Sequence, residues 1–385
     1  MINKKALISL LSQPSAPYRE YFVMEWAKKE LLQHQISFFQ DPQGNLVLGV
    51  RSEQEYRLLL AQPEQEPLRI FIAHMDHPGF HGVSWKGPDT LEVKWFGGSP
   101  RKHLNGSKVW IANNEGFFTT GKLVSPVLDA KKSHLVKAKV KVKKGSSQQL
   151  PKAESLFGGF GFRAPAWENK GIIYTKAADD LVGTYTIIEL AKKASQLKPR
   201  RFIGLLTRAE EVGFVGCIAH FEQGWFKEGK RQLLFVSLET SRTLPGAIVG
   251  KGPVVRLGDR ASIFSSAYLE VLNQVAKKKL REKYQRRVMD GGTCEATVAV
   301  AYRFPCVGIS IPLGNYHNQG FEGGPDCLKK EGPAPEFVSL SDIKGMLMLC
   351  EGILEEKLPW DDPWEKKRMD FKKYLEAGVP FLRSL

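Results

Sequence analysis

The chain has 385 residues, enough for a sizeable core and more than one domain, and its 42% hydrophobic and 25% charged content is that of an ordinary soluble fold with no run near the ~20 apolar residues of a membrane span. Its net charge of +15 raises nucleic acid, an acidic membrane surface or acidic substrates as partners, but the cations fall in strand-like or helical stretches (Lys137, Lys139, Lys141, Lys143; Lys277 to Lys283; Lys366 to Arg368) without a nucleic-acid motif, so they are read as solvated faces. Five cysteines (Cys217, Cys294, Cys306, Cys327, Cys350), odd in number and with no Cys-x-x-Cys, exclude a disulfide framework and a thiolate zinc site.

At the start, Ala6 to Leu11 is too short for a signal-peptide core and no small-residue cleavage site follows, so a cytoplasmic location is expected. Val23, Trp26, Ala27 and Leu31 recur at helical spacing and predict a helix over 17–35. The turn cluster Asp41-Pro42-Gln43-Gly44-Asn45 joins Ile36–Phe39 to Leu46–Val50, a predicted strand pair. Leu68 to Ala73 predicts a buried strand ending at His74-Met75-Asp76. A histidine there is either an ordinary loop residue or a metal ligand whose tautomer is fixed by the aspartate two residues on. From Gly82 to Glu168 helical periodicity is absent. Short alternating segments (Leu91–Trp95, Lys108–Ala112, Phe117–Leu123, His134–Val142) predict a small β-barrel or sandwich inserted into an α/β domain.

Regular α/β texture resumes at Ile172. Asp179-Asp180 opens a predicted helix, Val182 to Leu197, as a cap or as a metal bridge. The apolar run Phe202–Leu206 predicts a buried strand and stops at Glu210-Glu211-Val212-Gly213. Adjacent carboxylates at a strand's carboxyl end repel unless a cation or a shared proton relieves them, although glutamate is also favoured in a first helical turn. Leu233–Leu238 ends at Glu239, and Val254–Leu257 ends near Asp259 after the turn Gly250-Lys251-Gly252-Pro253. Helices are predicted over 262–284 and 294–302, the second after Gly291-Gly292-Thr293, and a strand over 306–311 leads into the loop with His317. Ser339-Leu340-Ser341-Asp342 predicts a capping box for a helix to Glu356, and the charged tail beyond Trp360 carries no motif.

One pattern repeats. Apolar strands lead to His74, Glu210-Glu211, Glu239 and the His317 loop, and Asp179 stands at a helix entrance. Such a set suits a two-metal hydrolase, because zinc accepts imidazole nitrogen and carboxylate oxygen and one carboxylate can bridge two ions.

The chain resembles the di-metal glutamyl or deblocking aminopeptidases, which include the tetrahedral aminopeptidases and some proteins labelled endoglucanases. The matching stretches, in the family's order, are His74-Met75-Asp76 with Gly79-Phe80, Lys176-Ala177-Ala178-Asp179-Asp180 with Gly183, and Glu210-Glu211-Val212-Gly213 with Gly216. Pro245-Gly246, Gly250-Lys251-Gly252-Pro253 with Asp259, Gly291-Gly292-Thr293 and Tyr316-His317 follow. The resemblance implies a mixed-sheet α/β catalytic domain over 1–81 and 169–385 and an inserted β-barrel of dimerisation type over 82–168. It implies two divalent ions per chain, zinc first, with cobalt or manganese as alternatives. His74 and Glu239 would hold one ion, Glu211 and His317 the other, and Asp179 would bridge both through a cis Asp179–Asp180 peptide. Asp76 would orient His74, and Glu210 would be the general base for hydrolysis of N-terminal residues from peptides. A dimer-based homo-oligomer, up to a dodecamer, with neither membrane nor nucleic acid as partner, completes the expectation.

Several positions depart from the family's pattern. His77-Pro78 replaces Glu-Ile, Leu181 an arginine, Glu239 an aspartate, Cys294-Glu295 an Asp after Gly-Gly-Thr, and Asn318 a serine. The primary ligand chemistry survives them. Glu295 is either an acid for a substrate's α-ammonium, displaced by one residue, which on a helix is roughly 100° of rotation, or merely the electrostatically favoured start of a helix. Two alternatives stay open: the same site cleaving another amide such as an N-acyl group, and a catalytically silent binding or assembly homologue.

Overall fold

The structure is a computed structural model that describes residues 2–116, 118–143 and 150–382; Phe117, where the predicted strand Phe117–Leu123 begins, lies outside them. Four apolar runs frame it. Leu68–His74, Phe202–Thr207 and Cys306–Leu313 are buried at every position, as are the first eight residues of Leu233–Arg242. Burial at consecutive residues requires cover on both faces, the environment of a parallel sheet between helices. These strands are the centre of an eight-stranded sheet in the order Phe38–Gln40, Leu46–Leu48, Phe202–Thr207, Leu68–His74, Leu233–Arg242, Cys306–Leu313, Val254–Asp259, Gln285–Met289. The central four are parallel, while Leu46–Leu48 and Val254–Asp259 join them antiparallel, so the sheet is mixed.

Register positions the chemistry. Thr207 lies opposite His74, Ser237 opposite Ile72 and Glu239 opposite Ser310. The carboxyl ends of these strands therefore stop along one line. The helix Leu181–Ala194 packs on Leu68–His74, Phe202–Thr207 and the helix Leu340–Ile353, which packs in turn on Ser266–Leu280. Asp180 caps Leu181–Ala194 by accepting from the Gly183 amide at 3.1 Å, which resolves the acidic pair: Asp180 is the cap and Asp179 is left for the site.

The predicted capping box is not reciprocal. Ser339 caps Leu340–Ile353, but the Asp342 carboxylate accepts from the Gly250 and Gly252 amides at 2.6 and 2.9 Å and fixes that turn instead. Among the described residues, helices without a counterpart in the predicted elements include Lys4–Leu11, Glu53–Ala61 and Glu365–Leu382. Lys4–Leu11 and Glu53–Ala61 each bury one stripe, whereas Glu365–Leu382 buries nothing. Among the described residues no helix is long and apolar enough to cross a membrane.

The insert is a closed six-stranded antiparallel barrel in the order Gly79–Trp85, Thr90–Phe96, Leu135–Val142, Phe118–Leu128, Lys108–Ala112, Phe157–Phe160. In Leu135–Val142 the apolar Leu135, Ala138, Val140 and Val142 face inward and Lys137, Lys139 and Lys141 face solvent, the alternation of a half-exposed strand. Its strands run from Gly79 to Phe160, against the expected 82–168. The first leaves the His74 loop without a linker, and Ala166–Asn169 belongs to a separate three-stranded sheet with Ile172–Thr175 and Glu336–Ser339.

Backbones in the barrel approach closely at Gly158, where a Cβ would lie 2.1 Å from the Trp110 carbonyl oxygen and 2.4 Å from the Phe80 ring. Gly158→Ala is expected to lower stability by roughly 1–3 kcal/mol through overpacking. Thermal melting followed by circular dichroism checks this, and an unchanged midpoint would show that the strands have room to part.

Candidate metal centre

His74 ends its strand almost fully buried. Its Nδ1 lies 3.1 Å from the Asp76 backbone carbonyl, which can only accept, so Nδ1 carries the proton and Nε2 faces the site. That Nε2 is 3.5 Å from Asp179 Oδ1 and 3.8 Å from Glu210 Oε2. Across the site His317 Nε2 is 3.2 Å from Glu211 Oε2 and 3.6 Å from Asp179 Oδ2. Asp179 thus turns one oxygen toward each imidazole. Three groups offer donor atoms within 4.8 Å of one another: His74, Asp179 and Glu239; Asp179, Glu211 and His317; His74, Glu210 and Glu211. All six residues named for metal or proton transfer therefore meet in one place.

Backbone clamps hold them there. The Asp76 carboxylate accepts from the Glu210 amide at 2.9 Å and the Glu211 amide at 3.1 Å. Its Oδ1 also lies 3.5 Å from His74 Nδ1, but it is the Asp76 carbonyl that orients the ring, and the carboxylate's main task is the turn at 210–211. Glu336 has no counterpart in the sequence reading. Fully buried, it accepts from the Ala178 and Asp179 amides through one oxygen (2.7 and 3.2 Å) and from the His317 amide through the other (2.8 Å). His77 donates from Nδ1 to the Asp179 carbonyl at 2.7 Å. The Asp179–Asp180 peptide is cis, and His317 has φ 53°, in the left-handed region. Behind that imidazole stands Gly98, from the loop after Thr90–Phe96, where a Cβ would fall 1.9 Å from Nδ1.

Asp179, Glu210, Glu211 and Glu239 face two imidazoles. Burial, with the Glu239, Glu211 and Glu295 carboxylates adding and His74 opposing, raises the proton affinity of Glu210 well above the usual range. Burial and the charge of Asp179 push Glu239 to about 8. Asp179 is held low, because the nearby His317 and His74 imidazoles outweigh its burial. Burial would strip His317 of its proton, yet Glu211 and Asp179 draw it up to about 10. Glu211 Oε1, Glu239 Oε1 and His317 Nε2 are buried without a hydrogen-bond partner. An excess of dry carboxylates, unpaired donor atoms of nitrogen and oxygen, and no thiolate among them fit divalent cations of the zinc class.

A cleft opens over this group, lined also by Ser241, Arg242, Arg256, Gly291, Gly292, Thr293 and Tyr316. Glu295 is not on its wall. Cys294 precedes the helix Glu295–Ala301 without a side-chain capping bond, and Glu295, its first residue, turns into the interior near Thr207 and Cys217, fully buried and pushed to about 7 by that burial. Of the two readings, the helix start is the one its position matches, and the α-ammonium reading would need it on the cleft wall.

Residues 58–320 match the family described as M42 glutamyl aminopeptidase. Among solved structures, the TET1 peptidase of Pyrococcus horikoshii superposes with a TM-score of 0.68 at 20% identity, over 92% of this chain and 99% of that one. An aminopeptidase from Desulfurococcus kamchatkensis gives 0.65 at 20% identity over 92% and 95%, and a Thermotoga maritima protein described as an endoglucanase gives 0.62 at 17% over 93% and 99%. These likenesses establish the fold: a mixed α/β domain carrying a barrel.

Gly98→Ala tests the contact between barrel and centre. The added methyl must displace the His317 ring, so zinc affinity, measured by competition with a chromophoric chelator, is expected to fall roughly 10–100-fold. Unchanged affinity would show that His317 does not depend on this packing.

Proposed function

The chain belongs to the M42 glutamyl aminopeptidase family, and from that membership we propose that it is a metal-dependent aminopeptidase releasing N-terminal residues from peptides. The observation that carries this is Asp179, shared between two donor groups, with Glu210 beside them. His74 and Glu239 would hold one divalent ion, Glu211 and His317 the other, and Asp179 both. Zinc is the first choice, with cobalt or manganese as alternatives. Such ions, when bound, supply Lewis acidity for the scissile carbonyl and for the attacking water.

The chain's own residues do the rest. Glu210 is fixed through its backbone by Asp76, so its carboxylate is presented to the cleft rather than tied into the scaffold. With divalent ions held beside it, Glu210 would have a lowered proton affinity and could take a proton from water and return it to the departing amine. Asp76 and Glu336 act as positioning residues: the first aims Glu210 and Glu211, the second holds Asp179 and His317.

Glu210→Gln is expected to retain both ions, read by elemental analysis, while turnover of a chromogenic aminoacyl amide falls ~10²–10⁴-fold. Glu211→Gln is expected to weaken metal binding itself. A panel of free and N-acetylated dipeptides with added zinc, cobalt or manganese separates aminopeptidase activity from N-acyl hydrolysis. Full activity in Glu210→Gln would remove the glutamate from the mechanism.

Self-association is part of the proposal: a dimer-based homo-oligomer, up to a dodecamer, formed through the barrel. The TET1 peptidase of Pyrococcus horikoshii assembles into a tetrahedron or an octahedral shell. On this barrel Val83, Phe118 and Val127 are exposed apolar residues that a partner could cover. Light scattering at micromolar concentration is expected to give a multiple of the chain mass. Salt should be varied, since a charge of +15 opposes association at low ionic strength. A monomer at every salt concentration would refute it.

A further inference from the structure

Lys176 begins the segment that carries Asp179, yet nothing in the metal centre uses its side chain. The residue is 5% exposed, and its ammonium donates to the Gln13 carbonyl and lies over the Trp110 ring, 5.2 Å from the centroid. Beside it a cavity of about 430 Å³ separates the barrel from the catalytic domain, a size that suits a small organic ligand. Trp110, Ile111, Phe160 and Phe162 give it largely apolar walls.

Three cationic side chains line this cavity, and two are committed. Lys108 donates to the Phe162 carbonyl at 2.8 Å, and Arg163 is paired with Asp326 through contacts of 2.6 and 2.7 Å. Lys176, by contrast, has no carboxylate in salt-bridge distance among the described residues. Glu336 acts on it only from beyond that distance, too weakly to offset the cost of burying an ammonium, and the burial pulls the amine down to about 7. The environment is complete except for a negative charge with an apolar body attached.

We propose that this cavity is a second ligand site, separate from the metal centre, for a small carboxylate bearing an aromatic or branched apolar group, with the carboxylate on Lys176 and the apolar group between Trp110 and Phe162. Two sources share that chemistry, a free organic acid and the carboxyl terminus of a short peptide.

Calorimetric titration of the full metal-loaded chain tests it with four probes: 4-phenylbutyrate, N-acetylphenylalanine and the amide of each. One saturable site per chain is expected for the acids, with the amides at least tenfold weaker. Tighter binding of phenylbutyrate assigns a free acid and tighter binding of N-acetylphenylalanine a peptide terminus. Lys176→Met keeps the length and apolar surface of the side chain and is expected to weaken both acids at least tenfold. Thr119→Trp, which fills the cavity from its wall and leaves the lysine in place, guards against misfolding of the first variant and is expected to abolish binding. Absence of binding to the parent chain, equal binding of acid and amide, or acid binding that survives both substitutions, as ligation at the metal centre would, overturns the proposal.

Discussion

Four carboxylates in one nearly dry pocket, answered by two imidazoles and by the buried Arg256 guanidinium farther off, form a negative excess that a protein interior does not tolerate alone. Asp179 spends its charge on His74 and His317, while Glu210 and Glu239 are left with raised proton affinities. Hydrophobic packing cannot relieve this and neither can hydrogen bonding, since the spare oxygens of Glu211 and Glu239 face no donor. Protons or small cations are the remaining remedies, and the raised proton affinities mark where either would act. The rest of the molecule can be understood as the means of keeping these acids together until such charge arrives.

Those means are mostly other carboxylates acting on backbone amides. Asp76 grips 210 and 211, and Glu336 grips 178, 179 and 317. Glu20 accepts from the Ala209 amide, and Asn45 binds the Arg208 amide and the Gly216 carbonyl, so the loop carrying Glu210 is tied from several directions. Gly216 belongs to the same device: a Cβ there would lie 2.4 Å from the Arg208 carbonyl. The side chains proposed as ligands are thereby spared most structural duty, because the loops bearing them are fixed through their main chains.

How far this was legible in the sequence follows from which interactions are local. His74, Glu210 and Glu239 could be placed because a mostly apolar run ends shortly before each, and a parallel sheet aligns such ends. The split of the acidic pair at 179–180 was half legible, since a cap and a ligand have the same sequence appearance. Glu336 was not legible at all. It reaches the site through antiparallel pairing opposite Thr175, a contact across more than half the chain's motifs with no local signature. Glu295 kept two readings because the first residue of a helix can face the interior as readily as the cleft, and Asp342 was misplaced because the spacing of a capping box does not reveal a competing pair of amides. The barrel's strands differ from the expected 82–168 because the first starts directly after the His74 loop, while Ala166–Asn169, a strand of another sheet, continues the short-strand texture past Phe160. The helix Glu365–Leu382 escaped because a charged segment with no buried face offers no periodic stripe to detect.

The two ends of the barrel are adjacent: Phe80 pairs with Gly158 and His81 with Phe157. A module whose entry and exit are neighbours can be gained or lost by a host domain with little cost in loop closure, since the gap left behind is already short. On connectivity alone the barrel is an exchangeable cassette. Gly98 contradicts that freedom, for it presses on the His317 imidazole from within the cassette. Any replacement must reproduce a bare backbone at that point, so a region portable in topology has become inseparable from its host in chemistry.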